Sequence, residues 1–110
     1  MTEQTTSTFV ICDTDTLQAA MVAIDTNLHR SVVVVNDKNV VVGTLSDGDI
    51  RKALLDGRLL ATPVHRVMNI DFTALTRSEM DRARGILAEG HILLIPVIDE
   101  HGKLLEVVSA

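Results

Sequence analysis

The segment Val42-Gly43-Thr44-Leu45-Ser46-Asp47-Gly48-Asp49-Ile50 carries the residues best suited to hold a small polar ligand. Gly43, near the end of an apolar run, lets a ligand or another stretch of backbone come close. Ser46 to Asp49 reads as a strand-to-helix junction whose free N–H groups favour an anion. Asp49 could accept both hydroxyls of a ribose, and Ser46, one turn back, could donate to the ribose or to a phosphate oxygen. The same Ser-x-x-Asp spacing is also a helix capping box, in which the two side chains only tie off backbone N–H groups. The two readings separate on whether loss of the Asp49 carboxylate changes ligand affinity or only stability.

Other chemistry finds less support. Ile11-Cys12-Asp13-Thr14-Asp15-Thr16 resembles the strand plus D-x-D-x-T pattern of haloacid-dehalogenase phosphotransferases, whose first Asp is a nucleophile. That chemistry also needs a Lys and a later acidic pair on a larger parallel sheet, and the segment reads equally as a helix start rich in Asp and Thr. His29, His65, His91 and His101 are not paired at metal-ligand spacing, so no metal is expected. Cys12, in the apolar run from Phe9, is expected to be a buried inert thiol.

Composition narrows the partners. The chain has 110 residues and a formal net charge of −5, and Phe9 and Phe72 are its only aromatic residues apart from histidine. It therefore offers neither a basic footprint nor a stacking platform for nucleic acid. The longest apolar stretch, Ile92 to Ile98, falls well short of the roughly 20 residues that span a bilayer. Residues 1–8 lack the basic start and apolar core of a secretory signal, which points to the cytoplasm and leaves Cys12 without a disulfide partner. This stretch is expected to be disordered or loosely held.

The elements that must position Ser46 and Asp49 come in two copies. Phe9-Val10-Ile11-Cys12-Asp13 recurs 63 residues on as Phe72-Thr73-Ala74-Leu75-Thr76. A helix follows each time: Leu17, Ala20, Met21 and Ile24 share one face, and so do Met80, Ala83, Ile86 and Leu87. Thr76 with Glu79 reads as a capping box. The runs Val32–Asp37 and Leu94–Asp99 then match at a spacing of 62, which predicts a second hairpin turn one residue longer than the first. After each turn comes another apolar run, and the Val-rich strands read as buried on both faces. A helix from Asp49 to Leu55 ends at Gly57, and Thr62-Pro63 starts a short turn through Met68. The expected fold class is α/β (α+β): two β-α-β-β units, 9–57 and 72–110, packed through their sheets with pseudo-two-fold symmetry across a linker at 58–71.

Two such units with Gly-h-h-Ser-x-x-Asp after the last strand of the first resemble a tandem pair of cystathionine-β-synthase (CBS) domains. The stretch from Gly43 to Gly57, continued by Thr62-Pro63-Val64 and Val67-Met68-Asn69, is similar to the pair at the N-terminus of bacterial sugar-1-phosphate nucleotidyltransferases; a sugar-phosphate isomerase family carries a similar pair. The resemblance implies a non-catalytic sensor of AMP, ADP or ATP, with Ser46 and Asp49 on ribose and phosphate beside Gly43, and with Ile11, Cys12, Val33 and Val34 as pocket candidates. It implies a homodimer formed through the helices and a catalytic domain after Ala110. The second copy departs from the pattern: Glu106 stands where Gly43 would, and its carboxylate is expected to repel a phosphate. It also lacks a trailing helix, so Ser109-Ala110 is expected to be poorly ordered or to borrow a neighbour's surface. The rival reading is a structural dimerisation module that binds no ligand.

Overall fold

A computed structural model describes residues 2–4 and 7–109. The elements are β1 (Thr2–Gln4), β2 (Val10–Cys12), α1 (Leu17–Asn27), β3 (Ser31–Val35), β4 (Val41–Ser46), α2 (Asp47–Leu55), α3 (Ala83–Ala88), β5 (Leu94–Ile98) and β6 (Leu104–Ser109). Short 3-10 turns lie at Ser7–Phe9, Val64–Arg66 and Arg77–Arg82. One sheet has the order β2-β3-β4 and the other β1-β6-β5.

The internal repeat holds at a constant spacing of 63. Val34 pairs with Gly43 and Val97 with Glu106; a bulge follows in both hairpins, between Val34 and Val35 and between Val97 and Ile98. The two hairpin turns are equally long, which corrects the expected extra residue. Sequence matching had set Asp37 against Asp99, whereas the counterpart of Asp99 is Asn36. Asn36 Oδ1 accepts from the N–H groups of Lys38 and Val40, and Asp99 Oδ1 from those of His101 and Lys103. An amide and a carboxylate thus close the same turn, and a left-handed residue follows in each, Asn39 at φ 63° and Gly102 at φ 80°. The turns clasp each other across the pseudo-two-fold axis: Val41 N–H donates to Gly102 O, and Leu104 N–H to Asn39 O, each at 3.0 Å.

Three apolar clusters hold the molecule. In the first repeat Ile11, Leu17, Ala20, Val32, Val34, Leu45 and Ile50 pack between sheet and helices, with Val64 of the linker sealing the edge. In the second, Leu75, Ala83, Leu87, Ile95, Val97 and Val108 do the same. Between the sheets lie Phe9, Val33, Val35, Val41, Leu94 and Val107. β3 is buried along its whole length as expected, but β4 alternates between buried and half-buried residues. The bulge turns β4 over, so Val41 joins the inter-repeat core while Leu45 joins the first repeat's own core.

Several expectations change. Thr2–Gln4 are a strand, paired with β6 from Gln4 opposite Val107 to Thr2 opposite Ser109, because the open edge of β6 offers unpaired backbone groups. The matching edge in the first repeat is closed by the linker, where Asn69 and Thr44 exchange backbone hydrogen bonds of 2.8 and 3.1 Å. Each sheet is therefore completed by the segment leading into the other repeat. Ser109 is fully buried and paired with Leu94 as well as Thr2; Ala110 lies outside the described residues. The first strand of the second repeat contracts to a single bridge, Leu75 to Val97, since Thr73 and Ala74 have little side chain to bury. Its helix is split into a 3-10 turn and the short α3, with the helix-weakening Gly85 in the middle, though Met80, Ala83, Ile86 and Leu87 do line one core.

The turn at Thr76 has an acid-sensitive start. Glu79 Oε1 accepts from Thr76 N–H at 3.0 Å and Oε2 lies 3.2 Å from Arg82 Nη1, contacts that hold the carboxyl below its ordinary pKa. A lowered folded-state pKa contributes stability above the unfolded value, about 4.3, and loses it as pH falls through the folded value. The melting temperature of wild type is thus expected to drop more steeply below about pH 4.3 than that of Glu79→Gln. Parallel pH–melting curves for the two proteins would refute this.

Candidate functional site

Ser46 and Asp49 meet as the sequence spacing requires. Ser46 is the N-cap of α2; its Oγ accepts from Asp49 N–H at 3.1 Å, and Asp49 Oδ2 accepts from Ser46 N–H at 3.0 Å. The capping box is real. It leaves over the Ser46 hydroxyl proton and Asp49 Oδ1, one donor and one acceptor. Both side chains are only part-buried and open into a cleft of about 270 Å³ between the repeats.

The cleft is walled by Ser31, Thr44, Ser46 and Asp49 from the first repeat, Asn69 and Asp71 from the linker, and Phe72, Thr73, His91 and Ile92 from the second. Residues directly opposite on a ladder share a face. Thr44 pairs with Val33, and Ser31 with Ser46, so all four lie on the inter-repeat face, where the apolar core gives way to a polar rim. At the pseudo-equivalent positions, Ser31 and Thr44 become Leu94 and Val107, both buried in the inter-repeat core. Polar lining is therefore built on one side of the axis.

The remaining candidates lie elsewhere. Ile11 and Val34 are in the first repeat's own core, on the opposite face of the sheet from the cleft, and Val33 is fully buried between the sheets. Cys12 is exposed rather than buried, because it ends the edge strand β2; its N–H donates to Asp15 Oδ2 at 2.9 Å. Gly43 faces the linker and not the cleft. A Cβ there would lie 2.8 Å from Met68 Sδ and 3.0 Å from the Asn69 carbonyl oxygen. The close approach inferred from the sequence is thus of backbone. Gly43→Ala is expected to push the Met68–Asn69 segment off β4 and cost about 1–3 kcal/mol, read as a lowered denaturation midpoint; an unchanged midpoint would show that the segment yields freely.

Glu106, the counterpart of Gly43, pairs with Val97 and so lies on the helix side of its sheet, 6% exposed, with Oε1 3.4 Å from Arg77 Nη1. It does not face the inter-repeat side, so the expected repulsion of a phosphate by Glu106 has no geometric basis. Sequence reasoning missed Asn69, Asp71, Phe72, Thr73 and His91. Their only signal was position, in the segments that lead into the second repeat's strands.

The comparisons with known proteins agree with this architecture. Residues 4–56 match the family model of the CBS domain. The first repeat is a CBS domain. The whole chain has the CBS-pair fold: a putative acetoin utilization protein, AcuB, from Vibrio cholerae superposes with a TM-score of 0.83 at 21% identity, covering 96% of this chain and 79% of that one. A CBS domain protein from Pyrobaculum aerophilum, complexed with AMP, superposes with a TM-score of 0.74 at 19% identity over 91% of this chain and 78% of that one. In sequence, the chain is 38% identical over 79 residues to the arabinose 5-phosphate isomerase GutQ of Escherichia coli O6:H1, a match that covers 71% of this chain and 25% of the isomerase. The chain thus spans about a quarter of that relative's length. No described helix is long and apolar enough to cross a membrane.

Proposed function

We propose that this CBS module binds an adenine nucleotide in the cleft at Ser46 and Asp49 and regulates an enzyme of sugar-phosphate metabolism. The observation that carries the reading is the asymmetric cleft: a spare hydroxyl donor and carboxylate oxygen at the N-cap of α2, on a polar rim between two apolar sheets. Asp49 takes the ribose hydroxyls, Ser46 the ribose or a phosphate, and Phe72 and Ile92 offer the apolar surface against which a base packs. The AMP in the Pyrobaculum aerophilum protein supports the ligand class. Calorimetric titration of AMP, ADP and ATP tests it: absence of heat and of thermal shift with all three at millimolar concentration would leave only the structural reading.

The similarity to GutQ favours a sugar-phosphate isomerase as the regulated enzyme. Control of a fused sugar-1-phosphate nucleotidyltransferase, the other parent that the Gly43–Gly57 motif resembles, draws on that motif alone.

A homodimer is part of the same proposal. α1 and α2 leave a groove of about 840 Å³ lined by Met21, Val22, Leu54, Leu55 and Leu60, with Val22 63% and Leu55 81% exposed. An apolar face of this kind marks an interface, and a second copy related by a two-fold axis would cover it. Sedimentation at tens of micromolar is expected to show a dimer of the 12.0 kDa chain, and Val22→Glu with Leu55→Glu a monomer. A monomeric wild type would sink this part.

A further inference from the structure

A second hollow, of about 280 Å³, lies between the α2 residues Asp49, Lys52 and Ala53 and the linker residues Arg58, Arg66 and Val67. The same two segments flank both hollows: α2 with its caps, from Ser46 and Asp49 to Lys52 and Asp56, and the linker, from Arg66 and Val67 to Asn69 and Asp71. Asp49 lines both. Each hollow is small for a ligand site, and together they fall within the usual range of about 300–1,000 Å³.

Their charges are opposite. The inner cleft holds the carboxylates of Asp49 and Asp71, no Lys or Arg, and His91 as its one ionisable base. A phosphate chain drawn into it would face like charge. The outer hollow holds Lys52, Arg58 and Arg66 against Asp49 and Asp56. Asp49 Oδ2 is already held by Ser46 N–H, and none of the three cations is in an ion pair among the described residues. In a chain of net charge −5, this is a local excess of cations without partners. Lys52 stands three residues beyond Asp49, about 4.5 Å along the helix axis.

We propose that the two hollows form one groove for an adenine nucleotide with two or more phosphates: nucleoside in the cleft, ribose on Asp49, and the phosphate chain on Lys52, Arg58 and Arg66. This rests on the adenine-nucleotide reading of the cleft and adds to it a preference set by phosphate number. The three side chains are exposed, so the groove's charge attraction is to be screened by salt.

The test is calorimetry on the full chain in magnesium-free buffer with AMP, ATP and inorganic tripolyphosphate. At about 50 mM salt ATP is expected to bind wild type about fivefold to tenfold more tightly than AMP, with the gap closing near about 0.5 M. The variant Lys52→Ala/Arg58→Ala/Arg66→Ala, its fold checked by circular dichroism, is expected to lose about tenfold for ATP and less than about twofold for AMP. Lys38→Ala, in the distant β3–β4 turn, removes the same kind of charge and is expected to change neither. Equal affinities of wild type for AMP and ATP, or equal losses for both in the triple variant, overturn the groove and leave the cleft reading intact. Tripolyphosphate binding as tightly as ATP assigns the hollow to free polyphosphate and overturns the groove as well. Failure of wild type to bind either nucleotide overturns both readings.

Discussion

Asp49→Asn is expected to weaken adenine-nucleotide binding by about one to two decades while the protein stays folded. A hydrogen bond to a charged group contributes about 1.5–3 kcal/mol, and each 1.4 kcal/mol is a factor of ten. The substitution keeps an acceptor for Ser46 N–H but removes the charge that strengthens the bond from Oδ1 to a ribose hydroxyl. A structural cost accompanies it, because the capping box exists in the protein. Loss of the carboxylate from the first turn of α2 is expected to cost about 0.3–1 kcal/mol through the helix dipole. Ser46→Ala supplies the comparison: it removes the acceptor for Asp49 N–H, costs about 1 kcal/mol as a lost N-cap, and leaves the carboxylate in place. If Asp49 and Ser46 serve only the cap, both variants lower the melting temperature and wild type gives no binding heat. If Asp49 holds ligand, Asp49→Asn loses more affinity than its loss of stability accounts for. Unchanged affinity in Asp49→Asn would end the ribose assignment.

The sequence made the repeat, the hairpins and the Ser46–Asp49 pair legible because each rests on local patterning: β-branched runs, turn residues and a three-residue cap spacing. What it hid depends on long-range pairing. A bulge at Val42 shifts side-chain parity by one, so alternation carried along β4 from Val41, which faces the other repeat, would put Gly43 rather than Thr44 on the cleft side. Matching Asp37 to Asp99 was chemically reasonable and structurally wrong, since the turn needs only a side-chain oxygen at its first residue, and Asn36 provides it. The pocket candidates Ile11 and Val34 looked like ligand contacts only while the two faces of their sheet were indistinguishable. Their ladder partners place them against helices. Thr2–Gln4 could not be read as a strand because three polar residues carry no hydrophobic period, and the edge that captures them is formed about a hundred residues later.

The cleft exists because two sheets are held face to face, and Phe9→Ala is expected to loosen that pairing at a cost of about 3–5 kcal/mol. Phe9 is 5% exposed, belongs to the cluster between the sheets, and makes a tilted ring contact with His29 at 5.3 Å. Truncation removes the only aromatic payload in the described part of that cluster besides the partly buried Phe72 at the cleft wall. Leu94→Ala, from the opposite sheet, is expected to cost about 2–5 kcal/mol by the same cavity mechanism. If the inter-repeat core acts as one packed unit, the double variant loses less than the two single losses together, because the second truncation enlarges a cavity already open. The binding consequence separates this core from the others. Ala83→Gly, in the second repeat's own core, costs about 1 kcal/mol of helix propensity plus a lost methyl, yet leaves both cleft walls in place. At a temperature where all variants are folded, Phe9→Ala and Leu94→Ala are expected to weaken nucleotide binding and Ala83→Gly to leave it unchanged. Chemical denaturation followed by calorimetry reads both effects. Full affinity in a stably folded but destabilised Phe9→Ala would mean that each cleft wall binds without the other, and that the sheet-to-sheet pairing contributes stability alone.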